Sequence, residues 1–507
     1  MQSLATIGRP LLVVIGLALM GGSALADDKG ASITVALPNE PANIDACNTT
    51  VTGIGIITKE NIAETLTTLD PVDSKVQPRL ATSWTDQGGG VWRVKLRAGV
   101  KFQDGADFNS AAVIKAIQRL QKTDITCLDR TKIKGVTFSA TSVDDHTVDI
   151  KADPAQVLMP IFFSFIAVPS PNTSDTELSR APVGTGPYKF VSWNPGEGVV
   201  LQRFDGYWGD KPQVDKVTYV FRGESALRAS MVDLGEADLA ADLAPQDANK
   251  PDEDFSFFSG DTTRIRMVMQ PPLDDIRVRK ALNLAFDRQA LVGSVLSSDV
   301  IPATQFIPPK TNGYNPDLKV WPYDPDQAKK LIDEARAAGA PVDKEIRLIG
   351  RIGFYPNENE ALQAMQQMWA GIGLNIKVQM MESAEWLKLV NRPYAENRSA
   401  MLIAEQHDNN NGDAAFTMPF RYRTGGQQSE TSIPALDQML DKAGVSTGAE
   451  RTKLYQDANR MIAQDVVPDV PMFHMVAHLR VSPRVVYKPN SLSDLQLEIA
   501  QIKFAKP

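Results

Sequence analysis

Three consecutive segments, KEIRLIG (Lys344–Gly350), a helical stretch from about Glu358 to Ala370, and NIKVQMM (Asn375–Met381), read as strand, helix and strand. Two strands joined by a crossover helix must run parallel, and the crossover is right-handed. This unit excludes an all-β sandwich and a helical bundle and demands an α/β layer covered by helices. A further apolar run, Ala400 to Ala404, fits the same sheet.

In open parallel sheets, ligands bind beyond the carboxyl ends of the strands. Beyond KEIRLIG stands Arg351, followed by IGFYPN; beyond MLIAE stands QHDNNNGD, with Asp408 and Asp413. A guanidinium and carboxylates at one sheet edge can hold the two ends of a zwitterion, Arg351 taking a carboxylate bidentately and an aspartate taking an ammonium.

The N-terminus reads as an export signal. One basic residue, Arg9, precedes the apolar run Leu11–Met20, and Ala24-Leu25-Ala26 gives the small-x-small pattern of a signal-peptidase site, so cleavage is expected after Ala26. No later run approaches the roughly 20 apolar residues of a transmembrane helix. No cysteine follows the cleavage site, which disfavours a lipid anchor. A periplasmic, soluble protein is expected. With 53 basic and 61 acidic side chains the chain carries a formal charge of -8, and losing Arg9 takes it to -9. That acidity does not suit nucleic acid or anionic lipid. Its 507 residues suffice for two or three domains with their own cores. The two cysteines, Cys47 and Cys127, form an even pair in an oxidising compartment, so one disulfide is expected. It would close a loop of about 80 residues and contribute on the order of 4 kcal/mol in a chain-entropy model.

The first half is a mixture of short strands and helices. ITVALP gives a first strand; ENIAETLTTLDPVDSKVQPRLATSWT is expected to open as a helix with Ile62, Leu66 and Leu69 on one face. VWRVKLRAGVKF alternates as a half-exposed strand, and Asn109 or Ser110 caps a helix with Val113, Ile114, Ile117 and Leu120 inward. VTFSATSVDDHTVDIKAD gives two strands around Asp144-Asp145. Pro182–Gly209 reads as a β-hairpin with turn glycines, and ESALRASMVDLGEADLAADLAP as a helix broken near Gly235. Strands at Phe255–Phe258 and Thr263–Met269 lead to a helix with Val278, Ala281, Leu282, Ala285 and Leu291 on one face. Asp324 caps a helix beginning at Pro325 and ending at Gly339. Further helices fall at PALDQMLDKAG and Thr452–Gln464, and VVPDVPMFHMVAHLRVSP is a Pro-bounded strand.

Three blocks carry a family resemblance: GTGPY…W-x-P-G-E…YWGDKP in Pro182–Pro212, L-x-x-G-V-x-F-x-D-G-x-x-F from Leu96 to Phe108, and DDIRVRKALNLAFDRQALV from Asp274 to Val292. Together they resemble the extracytoplasmic solute-binding proteins of ABC importers, family 5, the dipeptide, oligopeptide and nickel type. The resemblance implies an α/β bilobal periplasmic-binding-protein fold (class II type) with an extra α+β subdomain inserted in lobe 1. Its parts would be a signal peptide (1–26), lobe 1 (27–57, 182–268 and 478–507), the inserted subdomain (58–181) and lobe 2 (269–477). It implies a monomer that closes on a small peptide or peptide-like solute and delivers it to the importer's transmembrane subunits. A ligand-facing loop is implied at about Cys47 to Thr52, with Thr50 and Thr52. Arg351, Tyr355 and Asn357 match the Arg…Tyr-Pro-Asn of the dipeptide-binding branch, and Asp408 and Asp413 lie in its later loop, whose Gly-Asp-Pro-Asp is matched only at Asp413. That departure leaves an opine-like or sugar-containing ligand, or a chelated metal, as alternatives.

An enzyme, such as a secreted hydrolase, is the contrasting class. The four histidines, His146, His407, His474 and His478, stand in unlike contexts, and no HExxH, Gly-x-Ser-x-Gly or phosphate-loop pattern occurs. His474 and His478 lie in an extended segment, and DNNNGD lacks the glycine position and final glutamate of a calcium loop. No cofactor, metal site or catalytic residue is expected.

Overall fold

The computed structural model describes residues 31–133, 135–409, 411–493 and 496–506. The expected leader (1–26) and its cleavage site lie outside the described residues. After the first strand, β1 (Ser32–Leu37), comes a short helix, α1 (Thr52–Thr58). The strands β2 (Ala81–Gly88), β3 (Val91–Leu96), β4 (Thr137–Asp144) and β5 (Thr147–Asp153) then make an antiparallel sheet of their own, in the order β2-β3-β5-β4. Helix α2 (Ser110–Gln121) begins as expected at Asn109, whose Oδ1 accepts from the Ala112 N–H at 3.1 Å. It lays Val113, Ala116, Ile117 and Leu120 into a core with Val94, Leu96, Phe138, Val148 and Ile150. On β3, Val94 and Leu96 are buried while Lys95 is exposed, the period-two pattern of a one-sided sheet.

Apart from two small two-stranded pairings, the remaining strands build one large sheet. In chain order they are the hairpin β6 (Tyr188–Asn194) and β7 (Gly198–Arg203), then β8 (Lys216–Phe221), β9 (Leu239–Ala240), the long β10 (Asp254–Met267), β11 (Ile346–Arg351), β12 (Ile376–Met381), β13 (Met401–Asp408) and the long β14 (Asp469–Val481). Across the sheet the order is β12-β11-β13-β10-β14-β9-β1-β8-β7-β6. β11 pairs in parallel with both β12 and β13, so the crossover unit expected with a helix from about Glu358 to Ala370 is present, its helix running Glu358–Gly371, with β13 in the same sheet. β1 likewise pairs in parallel with β8 and β9.

β10 and β14 connect the two halves. Asp254–Phe258 lie opposite Val476–Arg480 in one half, and Thr262–Arg266 opposite Asp469–His474 in the other, with the register shifting on either side of Thr262. Gly260, in the interruption, has φ 82°, a conformation that favours glycine. Each half packs its own core: Val35, Tyr188, Leu201, Val217 and Leu479 on one side, Val278, Leu282, Leu348, Met365 and Trp369 on the other.

Several expected elements differ. No helix forms at Ile62–Leu69: Ile62 and Leu66 are fully buried, but Glu60 has φ 60° and Thr67–Leu69 is a strand. Tertiary contacts override the helical pattern there, because the Asn61 amide donates to the carbonyls of Ile56 and Leu497 at 3.0 and 2.8 Å and its oxygen accepts from Ile499 N–H at 2.9 Å. The two segments expected at Phe255–Phe258 and Thr263–Met269 are one strand. The helix after Asp275 ends at Leu284, short of Leu291, because Arg288 turns inward to donate to the Pro471 carbonyl at 2.7 and 3.0 Å.

Gly184 and Gly186 do not serve turns. A Cβ on Gly184 would fall 2.1 Å from the Ile62 carbonyl oxygen, and one on Gly186 2.4 Å from that of Asn61. They are glycines because two backbones touch, with Gly186 N–H donating to Ile62 at 2.9 Å. Gly196, at φ 79°, is the turn residue of the hairpin.

Cys47 and Cys127, the expected disulfide pair, are both buried and stand as free thiols in this structure. The Cys127 Sγ donates to the Cys47 carbonyl, 3.0 Å away. Hydrogen bonding to Cys127, with burial, pushes the Cys47 thiol far above its ordinary value, so Cys47 is not an available thiolate.

Candidate ligand-binding cleft

A cavity of about 700 Å³ opens over the middle of β10 and β14, a volume in the range of small-molecule sites. Phe257, Ser259 and Asp261 of β10 and Met475, Ala477 and Leu479 of β14 form its floor. Asn39 and Thr52 line one wall; Arg351, Tyr355, His407 and Asp408 line another. The site therefore lies where the sheet changes halves and at the carboxyl ends of β11 and β13.

Arg351 is the last residue of β11. Its guanidinium carbon stands 3.6 Å from the centroid of Phe354 and 5.3 Å from that of Trp386, a stacked arrangement that fixes the fork. Its Nε is buried with no hydrogen-bond partner among the described residues. Burial lowers its pKa, opposed by Glu358 and Asp261. Glu358, which accepts the Arg351 N–H at 3.2 Å, is pushed up by burial to about 7. The Tyr355 hydroxyl is likewise buried and unpartnered. A planar cation with an unpartnered Nε among the described residues, beside a cavity, is suited to a carboxylate.

The acidic side comes from neighbouring strands. Asp408 ends β13 and lies in register with Asp261 of β10. Lys132 Nζ approaches the two Asp408 oxygens at 3.4 and 3.3 Å. Behind them, Glu405 is fully buried and ion-paired with Arg264 at 2.7 Å, Arg266 at 3.1 Å and Arg421 at 2.9 Å. Against the upward push of burial, these guanidiniums hold its carboxyl at about 2. Arg421 Nη2 also lies 3.2 Å from His407 Nδ1. Since a guanidinium can only donate, Nδ1 accepts and the imidazole proton sits on Nε2. Burial, then the charge of Arg421, keeps His407 neutral, its pKa well below the ordinary value.

Of the expected site residues, the fold gathers Arg351, Tyr355, Asp408 and Thr52 on the cavity. Thr50 is turned away, its hydroxyl and N–H donating to Asp129 at 2.7 and 2.9 Å. Asn357 faces a neighbouring cleft, its amide donating to Gln246 Oε1 at 3.1 Å and the Val295 carbonyl at 2.8 Å. Asp413 is removed from the cavity: it is buried, ion-paired with Arg451 at 2.7 and 3.0 Å, and caps the turn at Ala414 through Ala415 N–H. Its role is structural, since a carboxylate saturated by a bidentate guanidinium has no call for an ammonium. Sequence reasoning missed Asp261, Gln406, His407 and Lys132. Position 406 and 407 carry no motif, but their place directly before Asp408 at a strand end was a signal available to it. Lys132 arrives from a distant segment that no periodicity marks.

His474 and His478 stand on β14, where four residues of strand separate them by about 13 Å; His474 Nδ1 is 2.9 Å from Thr262 Oγ1. Among the described residues no group of His, Cys, Asp and Glu could hold a metal ion, and no helix is long and apolar enough to cross a membrane.

Known proteins share this architecture. The ABC transporter substrate-binding protein CtaP of Listeria monocytogenes superposes with TM-score 0.81 at 20% identity, covering 94% of this chain and 100% of its own. DppA of Helicobacter pylori, in complex with the peptide STSA, gives TM-score 0.76 at 21% identity, covering 94% and 98%. These likenesses establish the bilobal α/β fold. The glutathione-binding protein GsiB of Salmonella choleraesuis (strain SC-B67) is 29% identical over 429 residues, 79% of this chain and 81% of its own. Residues 75–429 match the model of bacterial extracellular solute-binding proteins, family 5 Middle. With that match covering more than half of its length, the chain belongs to the bacterial extracellular solute-binding proteins of family 5.

Proposed function

We propose that the protein is the substrate-binding component of an ABC importer and captures a small peptide or peptide-like solute between two lobes for delivery to the transmembrane subunits. The observation that carries this reading is Arg351: a stacked guanidinium with an unpartnered Nε on one wall of a 700 Å³ cavity, with Asp261 and Asp408 on the adjoining strands. The solute's carboxylate lies on Arg351, its backbone runs over β10 and β14, and its other end reaches the Asp408 rim. Relatives named for glutathione and peptide binding support the same ligand class. The chain works as an exported monomer, processed after Ala26 in the periplasm, with no catalytic step and no nucleic-acid partner. The inserted subdomain spans 58–181, and β10 and β14 are the crossings about which the lobes close. Closure requires the solute to prefer the closed form.

Native mass spectrometry of the mature protein tests the ligand class, since an adduct reports its mass directly. A thermal-shift titration with dipeptides provides the second readout: ligand at 100 times its Kd adds about 2.7 kcal/mol to stability. Adducts in the peptide mass range and a rising Tm are expected. A metal or sugar adduct, with no response to any dipeptide, would overturn the reading.

A further inference from the structure

The Asp408 rim of the cavity already holds a cation. Lys132 places its Nζ 3.3 and 3.4 Å from the two carboxylate oxygens, and the side chains are only 17% and 26% exposed. The segment that carries Lys132 (Leu128–Ile133) is anchored rather than loose. Within it, Asp129 accepts four hydrogen bonds, from the N–H and hydroxyl of Thr49 at 3.0 and 2.9 Å and from those of Thr50 at 2.9 and 2.7 Å. Lys132 thus reaches Asp408 from a fixed base.

Next to this pair the cavity wall is neutral and incompletely bonded. Gln406 projects from the same face of β13 as Asp408 and lines the same cavity, and among the described residues its Oε1 is buried without a partner. His407 projects from the opposite face, beside Glu405 and Arg421. A neutral acceptor on the same strand face as a carboxylate whose charge is met complements an amide N–H rather than a second cation.

Building on the peptide-like reading above, we propose that the favoured solutes have a capped amine, an N-acyl or otherwise amide-blocked amino-acid derivative, and that Lys132 is the residue that sets this preference. The free carboxylate of such a solute still meets Arg351. Its blocked end gives the amide N–H to Gln406 Oε1, leaving the Lys132–Asp408 pair intact. A free α-ammonium at the same place adds a second cation to a carboxylate that already has one, and competes with Lys132 for it.

Calorimetric titration of the mature protein with alanyl-leucine and N-acetyl-alanyl-leucine tests this. The acetylated probe is expected to bind at least ten-fold more tightly. In Lys132→Met, which keeps the aliphatic stem and removes the charge, the preference should reverse toward the free amine; in Lys132→Arg it should persist. Equal or tighter binding of alanyl-leucine to the unmodified protein overturns this proposal and leaves the peptide-like reading standing, as does an unchanged preference in Lys132→Met. Binding of neither probe overturns the peptide-like reading, and this proposal with it.

Discussion

Replacing Glu358 by glutamine should make the protein more stable at neutral and alkaline pH while leaving it unchanged in acid. Glu358 is 3% exposed, its Oε1 accepts the Arg351 N–H at 3.2 Å, and its Oε2 has no hydrogen-bond partner among the described residues. Burial raises its pKa from 4.5 to about 7. Below pH 4.5 the carboxyl is protonated in both the folded and unfolded chain, so it imposes no penalty. Between 4.5 and 7 the folded state holds a proton that the unfolded state has released, and stability falls as pH rises. Above 7 the buried group is ionised and the full cost is present. At 1.36 kcal/mol per pKa unit, that cost is about 3 kcal/mol. Glutamine keeps an acceptor for the Arg351 N–H and never ionises. Urea unfolding of the two proteins, side by side at pH 4 and pH 8, measures the effect as a difference and cancels every other titrating group. The variant should match the parent at pH 4 and exceed it by about 3 kcal/mol at pH 8. A difference independent of pH would refute the reasoning.

Three further outcomes follow from the same contacts. Glu405→Gln strips the countercharge from Arg264, Arg266 and Arg421 and should destabilise the protein by about 3–5 kcal/mol at pH 7 in denaturant unfolding; because the folded pKa is about 2 against an ordinary 4.5, the difference should shrink as pH falls from 4.5 toward 2. Asp413→Asn breaks the buried pair with Arg451, so it should lower stability by about 3 kcal/mol yet leave ligand affinity within two-fold when measured by titration on the folded variant. Mass analysis after alkylation in non-reducing denaturant should count two free thiols, at Cys47 and Cys127, with none reactive in the native protein; a single mass consistent with a bridge would contradict the arrangement of these thiols.

What the sequence made legible was local. The crossover unit whose first strand ends in Arg351, the Asn109 and Asp324 caps and the alternation on β3 each depend on neighbouring residues, and each is present. What it concealed was set by distant partners. Ile62, Leu66 and Leu69 have helical spacing, but Asn61 is bonded to residues near 497 and 499, and that pairing decides the local backbone. Asp408 and Asp413 are both loop aspartates in sequence; only the fold supplies Arg451 to one and the cavity to the other. Gly184 and Gly186 look like turn residues until the backbone of Asn61 and Ile62 is brought against them.

The central claim is that Arg351 receives the carboxylate of a peptide-like solute. The measurement that tests it most directly is a calorimetric cycle on the mature protein and Arg351→Ala, using alanyl-leucine or its N-acetyl form, whichever binds more tightly, and the corresponding C-terminal carboxamide. Removing a charge-assisted bidentate contact costs about 2–5 kcal/mol, so the substitution alone and the carboxamide alone should each weaken binding by 30-fold or more, on the order given by that range. Combined, they should cost little beyond either one, because both delete the same contact. Losses that multiply, or an Arg351→Ala protein that binds the carboxylate as tightly as its parent, would contradict the account.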